Sequence, residues 1–339
     1  MKKTQTRGGK AFRRFLAVFL AILLVLAAVM YLVPLVEHPD KTAVSGSADW
    51  MAELDGSLRL TDLVLPGTHD SAARYVGLPF FSRCQDLSIA EQLEAGARYL
   101  DIRLGTEDSK LKLMHGFVNC KTGPMLWDGT LYLEDVLADC YAFLEAHPTE
   151  TILFAVKQEH VSREERENGD TYRADFEKLM YAYTRRNPKS WLLTDRIPTL
   201  DEARGKLVLL RRYEDDASLG TEAGIPLLWG DQGGHDDPTK NAVLEESGSL
   251  ALLVQDRYCY NTPDKWTAFT AGLKAAEGTD YSLALHFLST KGTLPYGHPY
   301  YFAHRLNARL VEARDLALSG CVVLDFLTPG LARRIYSAN

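Results

Sequence analysis

The sequence lacks the short motifs that mark the common nucleotide-binding and zinc-binding proteins. Neither GxGxxG nor GxxxxGKS/T follows the first strand-like segment, although Rossmann and P-loop proteins need these glycines to bring backbone N–H groups against phosphates. The five cysteines, at positions 84, 120, 140, 259 and 321, have no CxxC or other metal-ligand spacing. These absences argue against a nucleotide site and against a structural zinc site.

The chain also lacks features that would divide it into several domains. Its 339 residues contain no internal repeat, low-complexity tract or long linker, and 46% hydrophobic with 24% charged residues is an ordinary globular composition. A single β/α barrel can reach about 250 residues or more. One large α/β domain is therefore the expected organisation.

Positive charge is scarce outside the N-terminus. Taking the six basic residues of positions 1–14 away from the net charge of −7 leaves −13 for residues 15–339. A surface this acidic is unsuited to nucleic acid and to nonspecific attraction by anionic lipid. Nucleic acid is therefore not expected as a partner, and any cations that bind a phosphate must be local.

The N-terminus has the pattern of a membrane anchor. Residues 1–14 are basic without an acid, and residues 15–36 form an apolar run interrupted only by Pro34. This run is long enough to cross about 30 Å of hydrocarbon, and its basic flank predicts that the N-terminus stays inside. We therefore expect a single-pass protein of the cell membrane with its main domain on the extracellular side.

This pattern divides the chain into four expected parts. They are a basic cytoplasmic tail at 1–14, a transmembrane signal-anchor helix at 15–36, a juxtamembrane linker at 37–55 and a barrel at 56–339. A secreted protein with a cleaved leader is the alternative, because Ala43, Ser45 and Ser47 could supply a late cleavage site. The apolar run exceeds the usual leader length of about 7–15 residues, which favours the anchor.

Strand-like and helical patterns alternate along the rest of the chain. The strand-like runs lie at residues 60–65, 98–104, 110–114, 151–157, 206–210, 250–254, 281–288 and 321–325. The helical patterns lie at residues 88–95, 131–146, 172–185, 263–277 and 304–317. Ser88 followed by Glu91 is a capping box for the first of these helices. The alternation predicts a parallel sheet, and about eight strands favour a closed barrel.

Polar motifs lie at the ends of several of these strands. In chain order they are LPGTHDS (65–71), RYLDIR (98–103), MHG (114–116) and TILFAVKQEH (151–160). Their order and spacing resemble the catalytic domain of bacterial phosphatidylinositol-specific phospholipase C. The resemblance continues through LLRRY (209–213), VQDRY (254–258) and CVVLDF (321–326). It implies a distorted TIM barrel, an α/β fold, placed after the N-terminal transmembrane helix.

Cleavage of a phosphodiester by an internal hydroxyl needs a base, an acid and cations for the developing charge. The resemblance implies that His69 deprotonates the inositol 2-hydroxyl and that Asp325 orients His69. It implies that His115 protonates the diacylglycerol oxygen, with Asp70 assisting and Asp101 in the surrounding network. The products would be diacylglycerol and inositol 1,2-cyclic phosphate.

Arg103 bears on the question of a metal. Period two on a strand directs Asp101 and Arg103 to the same side. Calcium-dependent members of the wider family have an acidic residue around this place, so the resemblance implies that a guanidinium replaces the ion. We expect catalysis without calcium, without another metal and without a cofactor.

Substrate recognition is expected from the second half of the barrel and from the cations beside the phosphate. The residues predicted to contact substrate are Lys157, Glu159, Arg212, Asp256 and Tyr258. Arg212 and Asp256 resemble positions that hydrogen-bond inositol hydroxyls, and Tyr258 would lie against the ring. The expected partner is a phosphatidylinositol-type lipid in a bilayer, with no obligate protein partner.

Two further expectations concern the loops. Two aromatic segments, LPFF (78–81) and YGHPYYF (296–302), are typical either of a membrane interface or of burial against the barrel. A disulfide is permitted outside the membrane, and Cys84 with Cys120 is the candidate pair, because both lie in loops beside the expected site.

Two other functions remain open. One is a noncatalytic, membrane-tethered module that binds inositol headgroups. The other is a related phosphodiesterase with another headgroup, whose relatives cluster acidic metal ligands near the first histidine. The sequence retains His69, Arg103, His115 and Asp325, and this favours the enzyme that acts on phosphatidylinositol or a glycosylated form of it.

Overall fold

The computed structural model describes residues 7–38, 48–159, 169–213, 224–240, 243–293 and 297–339. Among the residues discussed above, Ala43, Ser45, Ser47, His160 and Tyr296 lie outside these ranges. The side chains at positions 7–8, 169–175 and 243, inside helices or a strand, also fall outside the description.

A long apolar helix forms the N-terminal part. Helix α1 covers Arg7–Leu32 and continues into a 3₁₀ turn at Val33–Leu35. Within residues 9–35, an 18-residue window has a mean hydropathy of 3.0 and is not buried in the protein, so the helix can cross a membrane by length and composition. The helix begins inside the basic segment, several residues before the expected boundary at residue 15.

Twelve strands of the described residues form one sheet. They are β1 Leu65–Thr68, β2 Tyr99–Glu107, β3 Lys110–His115, β4 Val118–Asn119, β5 Ile152–Gln158, β6 Trp191–Leu192, β7 Leu207–Arg212, β8 Ile225–Pro226, β9 Val243–Ser247, β10 Leu250–Gln255, β11 Leu283–Phe287 and β12 Cys321–Leu324. The order across the sheet is β6-β7-β5-β2-β1-β12-β11-β10-β9. The strands from β6 to β10 in this order are parallel, as predicted, and β9 is antiparallel to β10.

Six helices cover the outer face of the sheet, and two short ones do not. The six are α3 Ile89–Glu94, α4 Leu133–Ala146, α5 Gly169–Arg186, α7 Thr262–Ala276, α8 Pro299–Glu312 and α9 Pro329–Tyr336, and the short ones are α2 Pro79–Ser82 and α6 Leu200–Ala203. Apolar residues on the outer sides of the strands, such as Ile102, Phe154 and Leu324, pack with helix residues into one core cluster. The predicted capping box is confirmed, because Ser88 accepts a hydrogen bond from the Glu91 N–H at the start of α3.

The inner face of the sheet has a core of its own. Alternate strand residues point inward and share one buried cluster, which includes Leu65, Tyr99, Leu153, Ala155, Val208, Leu210, Leu252, Val254, Leu283, Leu285, Phe287, Cys321 and Val323. The cluster joins strands from both halves of the strand order, so the sheet curls around one interior.

Closure of the barrel is less regular than predicted. In the part of the chain that the structure describes, β8 pairs with β7 and β9 pairs with β10, and no backbone ladder joins β8 to β9. Side chains bridge this gap: the Leu228 N–H donates to Ser247 Oγ at 2.9 Å, and Gln232 donates to the Val254 carbonyl at 3.2 Å. The architecture is α/β and resembles a TIM barrel that is open on one side.

Two predicted elements are wrong. Residues 60–65 do not form a strand, because Leu60–Asp62 is a 3₁₀ turn in which the Asp62 carboxylate accepts the Arg59 N–H, and β1 starts only at Leu65. The last long helix covers Pro299–Glu312 instead of residues 304–317. The helix starts at Pro299 because proline fits the first turn of a helix. After the helix ends, the Arg334 side chain donates hydrogen bonds to the Ala313 and Leu316 carbonyls.

A buried ion pair lies at the end of the sheet opposite the predicted site. The fully buried Arg98, just before β2, donates to Glu150 Oε2 at 2.9 Å and 2.7 Å through Nε and Nη2. The guanidinium also donates to the Leu93, Ala97 and Ala48 carbonyls. Glu150 also accepts the Met51 N–H at 3.0 Å. The pair joins three segments of chain beneath the barrel.

We expect Glu150→Gln to lower the free energy of unfolding by about 3 kcal/mol, because it leaves the buried Arg98 charge without its anion. Lys110→Gln is the matched control, since it breaks an exposed 2.9 Å pair with Glu134 and should change stability by less than about 1 kcal/mol. Chemical denaturation in detergent micelles measures both. Equal effects of the two substitutions would contradict this account.

Candidate active site

Along each strand, alternate residues point into the barrel. Most of these inward residues are apolar, but those at the carboxyl ends of the strands are polar and form a layer above the core. The inward position after the apolar residues is Lys157 on β5 and Arg212 on β7, while on β2 the inward residues after Tyr99 are Asp101 and then Arg103. These three cations are direct neighbours in the parallel register. On the other side, His69 follows β1 and Asp325 follows β12. The predicted site residues therefore meet at one end of the barrel.

His69 and Asp325 form a close pair. His69 Nδ1 lies 2.7 Å from Asp325 Oδ1, so Nδ1 carries the proton and Nε2 is the acceptor nitrogen. Burial has the largest single effect and lowers the pKa of His69, but the Asp325 and Asp70 carboxylates together bring it above the usual 6.5. Asp325 is held in turn, because Asn307 donates to its carbonyl at 2.9 Å. The arrangement can accept a proton at Nε2.

Arg103 lies at the centre of three carboxylates. Its guanidinium is 2.9 Å from Asp101 Oδ2, 3.0 Å from Asp70 Oδ2 and 3.4 Å from Glu159 Oε1. Burial would lower the pKa of Arg103, but these anions raise it well above its ordinary value. Burial opposes ionisation of Asp101, yet Arg103 holds the pKa of that carboxyl below its usual range. The site therefore keeps a permanent cation.

His115 approaches the same cluster from the end of β3. Its Nδ1 donates to the Ser82 carbonyl at 2.9 Å and lies 3.4 Å from Asp70 Oδ2. The His69 and His115 rings are 6.2 Å apart and nearly perpendicular. Asp70 Oδ2 is also 3.5 Å from His69 Nε2, so this carboxylate lies between both histidines and Arg103.

Unusual backbone conformations occur directly after two site residues. Asp70 and Phe326 have positive φ angles of 43° and 51°, although neither is glycine. Such conformations cost free energy and persist when surrounding contacts impose them. Gln85 supplies part of that support: its amide donates to the His69 and Leu324 carbonyls and accepts the Leu327 N–H.

A cavity of about 570 Å³ opens over this cluster. Its lining includes all the predicted site residues except Asp70 and Asp101, which lie beneath Arg103. Lys157 pairs with Glu159 at 2.8 Å. Burial and the nearby Arg103 lower the pKa of Lys157. Burial raises the pKa of Glu159, but Lys157 and Arg103 lower it more.

The far wall of the cavity combines charge with aromatic surface. Arg212 Nη2 is 3.5 Å from Asp256 Oδ2, and its guanidinium lies 3.5 Å from the centre of the Trp229 ring. Trp229 Nε1 donates to Asp256 at 3.2 Å. Tyr258 lines the cavity and donates to Asp231. This wall can hydrogen-bond a polyhydroxylated ring and also cover its apolar face.

The predicted disulfide is wrong, because all five cysteines are buried and free. Cys84 lies in the cavity wall, with Sγ 3.7 Å from His115 Nδ1, and it forms no disulfide. Burial raises the pKa of the Cys84 and Cys120 thiols well above the ordinary value.

Several ligand-type side chains are close enough to each other to hold a metal. Among the described residues, three such groups occur, drawn from His69, Asp70, Cys84, Asp101, His115 and Asp325. Each of the three includes at least one carboxylate. Arg103 already neutralises Asp70 and Asp101, and Asp325 is engaged by His69. A cation at this site would therefore compete with existing partners.

Sequence reasoning gave no role in the cavity to four residues that shape the site: Ser82, Cys84, Gln85 and Trp229. Three of them follow the LPFF segment in a connection that has no strand period, so alternation gave no signal for them. Trp229 comes from a segment after β8 without regular structure. The only sequence signal for Trp229 was its place in the WGD segment, where an aromatic residue lies two positions before an acidic one.

Comparisons with known proteins agree with this geometry. Residues 69–213 match the family described as phosphatidylinositol-specific phospholipase C, X domain. The chain is 27% identical over 332 residues to a 1-phosphatidylinositol phosphodiesterase from Staphylococcus aureus, covering 91% of this chain and 92% of the relative. It is 28% identical over 244 residues to the protein of that name from Listeria monocytogenes, covering 66% and 69%.

A solved structure shares the fold. A variant of the phosphatidylinositol-specific phospholipase C from Staphylococcus aureus superposes with a TM-score of 0.69 at 24% identity, over 86% of this chain and 97% of that one. The family match, which covers His69, Arg103 and His115, and the sequence similarity along most of the chain lead to one conclusion. Residues 69–213 belong to the X domain of the phosphatidylinositol-specific phospholipase C family.

Proposed function

We propose that the protein is a metal-independent phosphatidylinositol diacylglycerol-lyase. It cleaves phosphatidylinositol, or a glycosylated form of it, to diacylglycerol and inositol 1,2-cyclic phosphate. The observation that carries the proposal is the pair of histidines whose rings lie 6.2 Å apart, with Asp70 close to both rings and held by Arg103 at 3.0 Å. Relatives along most of the chain are named phosphatidylinositol phosphodiesterases, which supports the same substrate class.

The first step is a proton transfer to His69. Nε2 takes the proton of the inositol 2-hydroxyl, and the new alkoxide oxygen attacks phosphorus. Asp325 holds the Nδ1 proton at 2.7 Å and stabilises the imidazolium that forms. Arg103 and Lys157 lie on adjacent strands facing the cavity, where they can stabilise charge on the non-bridging oxygens.

The second proton transfer belongs to His115. The bond between phosphorus and the diacylglycerol oxygen breaks as His115 gives that oxygen a proton from Nε2. Its Nδ1 is held by the Ser82 carbonyl, and Asp70 lies at 3.4 Å to stabilise the protonated ring. The cyclic phosphate retains the inositol, and the diacylglycerol stays in the membrane. Arg212 and Asp256 hydrogen-bond the remaining inositol hydroxyls.

One assay separates the proposed function from its two alternatives, a noncatalytic binding module and an enzyme that acts on another headgroup. The full chain in detergent micelles with phosphatidylinositol and excess EDTA should give a cyclic phosphodiester signal in phosphorus NMR. We expect His69→Ala and His115→Ala each to lower the rate by about 100- to 10,000-fold, since each removes a proton-transfer group.

His304→Ala is the matched control and should keep wild-type rates, because His304 is exposed on α8 and does not line this cavity. No product with wild-type protein would contradict the proposal and favour the binding module. Turnover of a different phosphodiester lipid alone would instead favour another headgroup.

We expect Asp325→Asn to shift the titration of His69. Asp325 and Asp70 together bring the pKa of His69 above 6.5 against the effect of burial, so the loss of the Asp325 charge should move that pKa below the usual value. Because a base must be unprotonated, the acid limb of kcat/KM should move to lower pH while the maximal rate falls. NMR titration of the ring and the pH–rate profile measure the two effects.

Asp256→Asn serves as the control for this shift. It changes a carboxylate in the same cavity that does not contact His69, so the His69 pKa should not move even if KM rises. An unchanged acid limb in Asp325→Asn would show that His69 is not the base.

We expect Arg103→Gln to lower kcat by about 1,000-fold, because it removes the cation nearest the reacting phosphate. Wild-type protein should be as active in EDTA as with calcium. Arg59→Gln, which alters an exposed arginine at the opposite end of the barrel, should have no effect. A wild-type rate that requires calcium would mean that the carboxylates around Arg103 bind an ion during catalysis.

A further inference from the structure

The end of the membrane helix is fixed to the barrel. The buried Arg83 donates to the Pro34 and Val36 carbonyls, directly after α1, and pairs with Asp86 at 2.8 Å. Pro34 is itself buried. Because Arg83 is fully buried and its guanidinium donates to these carbonyls, it fixes the C-terminal end of the membrane helix against the barrel.

Residues 37 and 38 extend this joint, which we call the clasp and which comprises residues 34–38 with their partners on the barrel. The His38 N–H donates to Asp86 Oδ2 at 2.7 Å, and the His38 ring stacks on Tyr300 with centroids 3.4 Å apart. Glu37 pairs with Arg74 at 3.0 Å. The clasp therefore contacts the barrel through several separate segments.

The clasp is adjacent to the active site. Helix α2, Pro79–Ser82, packs against α1 and its 3₁₀ turn. The same short helix supplies Phe81 to the cavity wall and the Ser82 carbonyl to His115. One turn of helix thus separates the anchor from the proposed general acid, and the cavity mouth lies beside the point where the anchor leaves the barrel.

A second contact brings an apolar loop to the same place. The Tyr31 hydroxyl, near the end of α1, donates to the Pro124 carbonyl at 2.8 Å. The next residues are Met125, Leu126 and Trp127, with exposed fractions of 49%, 69% and 82%. Single exposed apolar residues are common, but three in succession beside a membrane helix form a contact surface for lipid.

The length of the helix sets the height of this surface. Residues 15–35, from the last basic residue to the end of the 3₁₀ turn, cover about 30 Å at about 1.5 Å per residue. If Arg13 and Arg14 lie at the inner surface, Tyr31 and Pro34 lie at the outer one. Tyr and Trp prefer this interface, so Trp127 lies at the depth that suits its side chain.

We infer that the clasp holds the cavity mouth against the outer surface of the membrane that α1 spans, with the Met125–Trp127 loop inserted in it. The enzyme would then take its lipid from its own bilayer rather than from a second membrane. The identity of the lipid rests on the proposed function, whereas the orientation of the barrel depends on the clasp and the loop alone.

The orientation can be tested without catalysis. The full chain is reconstituted in phosphatidylcholine vesicles that contain lipids brominated on the acyl chain, which quench tryptophan fluorescence on contact. We expect Trp127→Phe to remove most of the quenched emission. Trp50→Phe is the matched control, because Trp50 donates to the Gly96 carbonyl at the opposite end of the barrel; it should leave quenching intact. Equal quenching in wild type and Trp127→Phe would overturn the inference.

The source of the lipid is tested by hydrolysis. Full-length protein is reconstituted with phosphatidylinositol and mixed with protein-free vesicles that contain isotope-labelled phosphatidylinositol. Lipid of the protein's own vesicle should be cleaved at least about tenfold faster, as tethering raises the effective concentration. Comparable rates would overturn the inference. No cleavage in either vesicle, with Trp127 still quenched, would contradict the proposed function and leave the orientation supported.

The loop has its own matched comparison. Leu126→Ser with Trp127→Ser should slow hydrolysis in the protein's own vesicle several-fold, while the rate on a short-chain monomeric substrate stays unchanged. Val311→Ser, an equally apolar and 45% exposed position near the end of α8, should affect neither rate. A loss on both substrates in the loop variant would indicate damage to the fold and not lost membrane contact. Unchanged hydrolysis in the protein's own vesicle would contradict insertion of the loop.

Discussion

The site depends on one guanidinium placed among three carboxylates. Asp70, Asp101 and Glu159 lie within 3.4 Å of Arg103, and without a cation such a group of anions could not stay ionised in a buried place. The ion pairs orient Asp70 towards both histidines and keep Glu159 beside Lys157. Arg103 therefore fixes the geometry of the proposed acid and base, and its charge also faces the cavity where a phosphate would lie.

The simplest rule of strand structure predicted most of this site. Alternation places Asp101 and Arg103 on the inner side of β2, and the parallel register then aligns Arg103 with Lys157 and Arg212. Because the motifs lie where parallel strands end, the sequence alone indicated that they meet. The pairing of His69 with Asp325, 256 residues apart, required the family resemblance, since no local pattern links the two ends of the domain.

Features that depend on loops and on competing local contacts were not predictable in this way. The support from Ser82 and Gln85 comes from a connection without periodicity. The 3₁₀ turn at Leu60–Asp62 formed where apolar residues suggested a strand, because a side-chain cap satisfies the backbone locally. Within the described residues, side-chain hydrogen bonds lie between β8 and β9 where a backbone ladder would close the barrel, and composition does not reveal such contacts.

The five buried thiols have a consequence for maturation. Every cysteine of the protein is free and buried, and burial raises the pKa of the Cys84, Cys120, Cys140 and Cys321 thiols. The thiolate is the form that oxidants and disulfides attack. The native state therefore contains no crosslink that a thiol oxidase would have to form, and burial keeps the thiols in their less reactive protonated form.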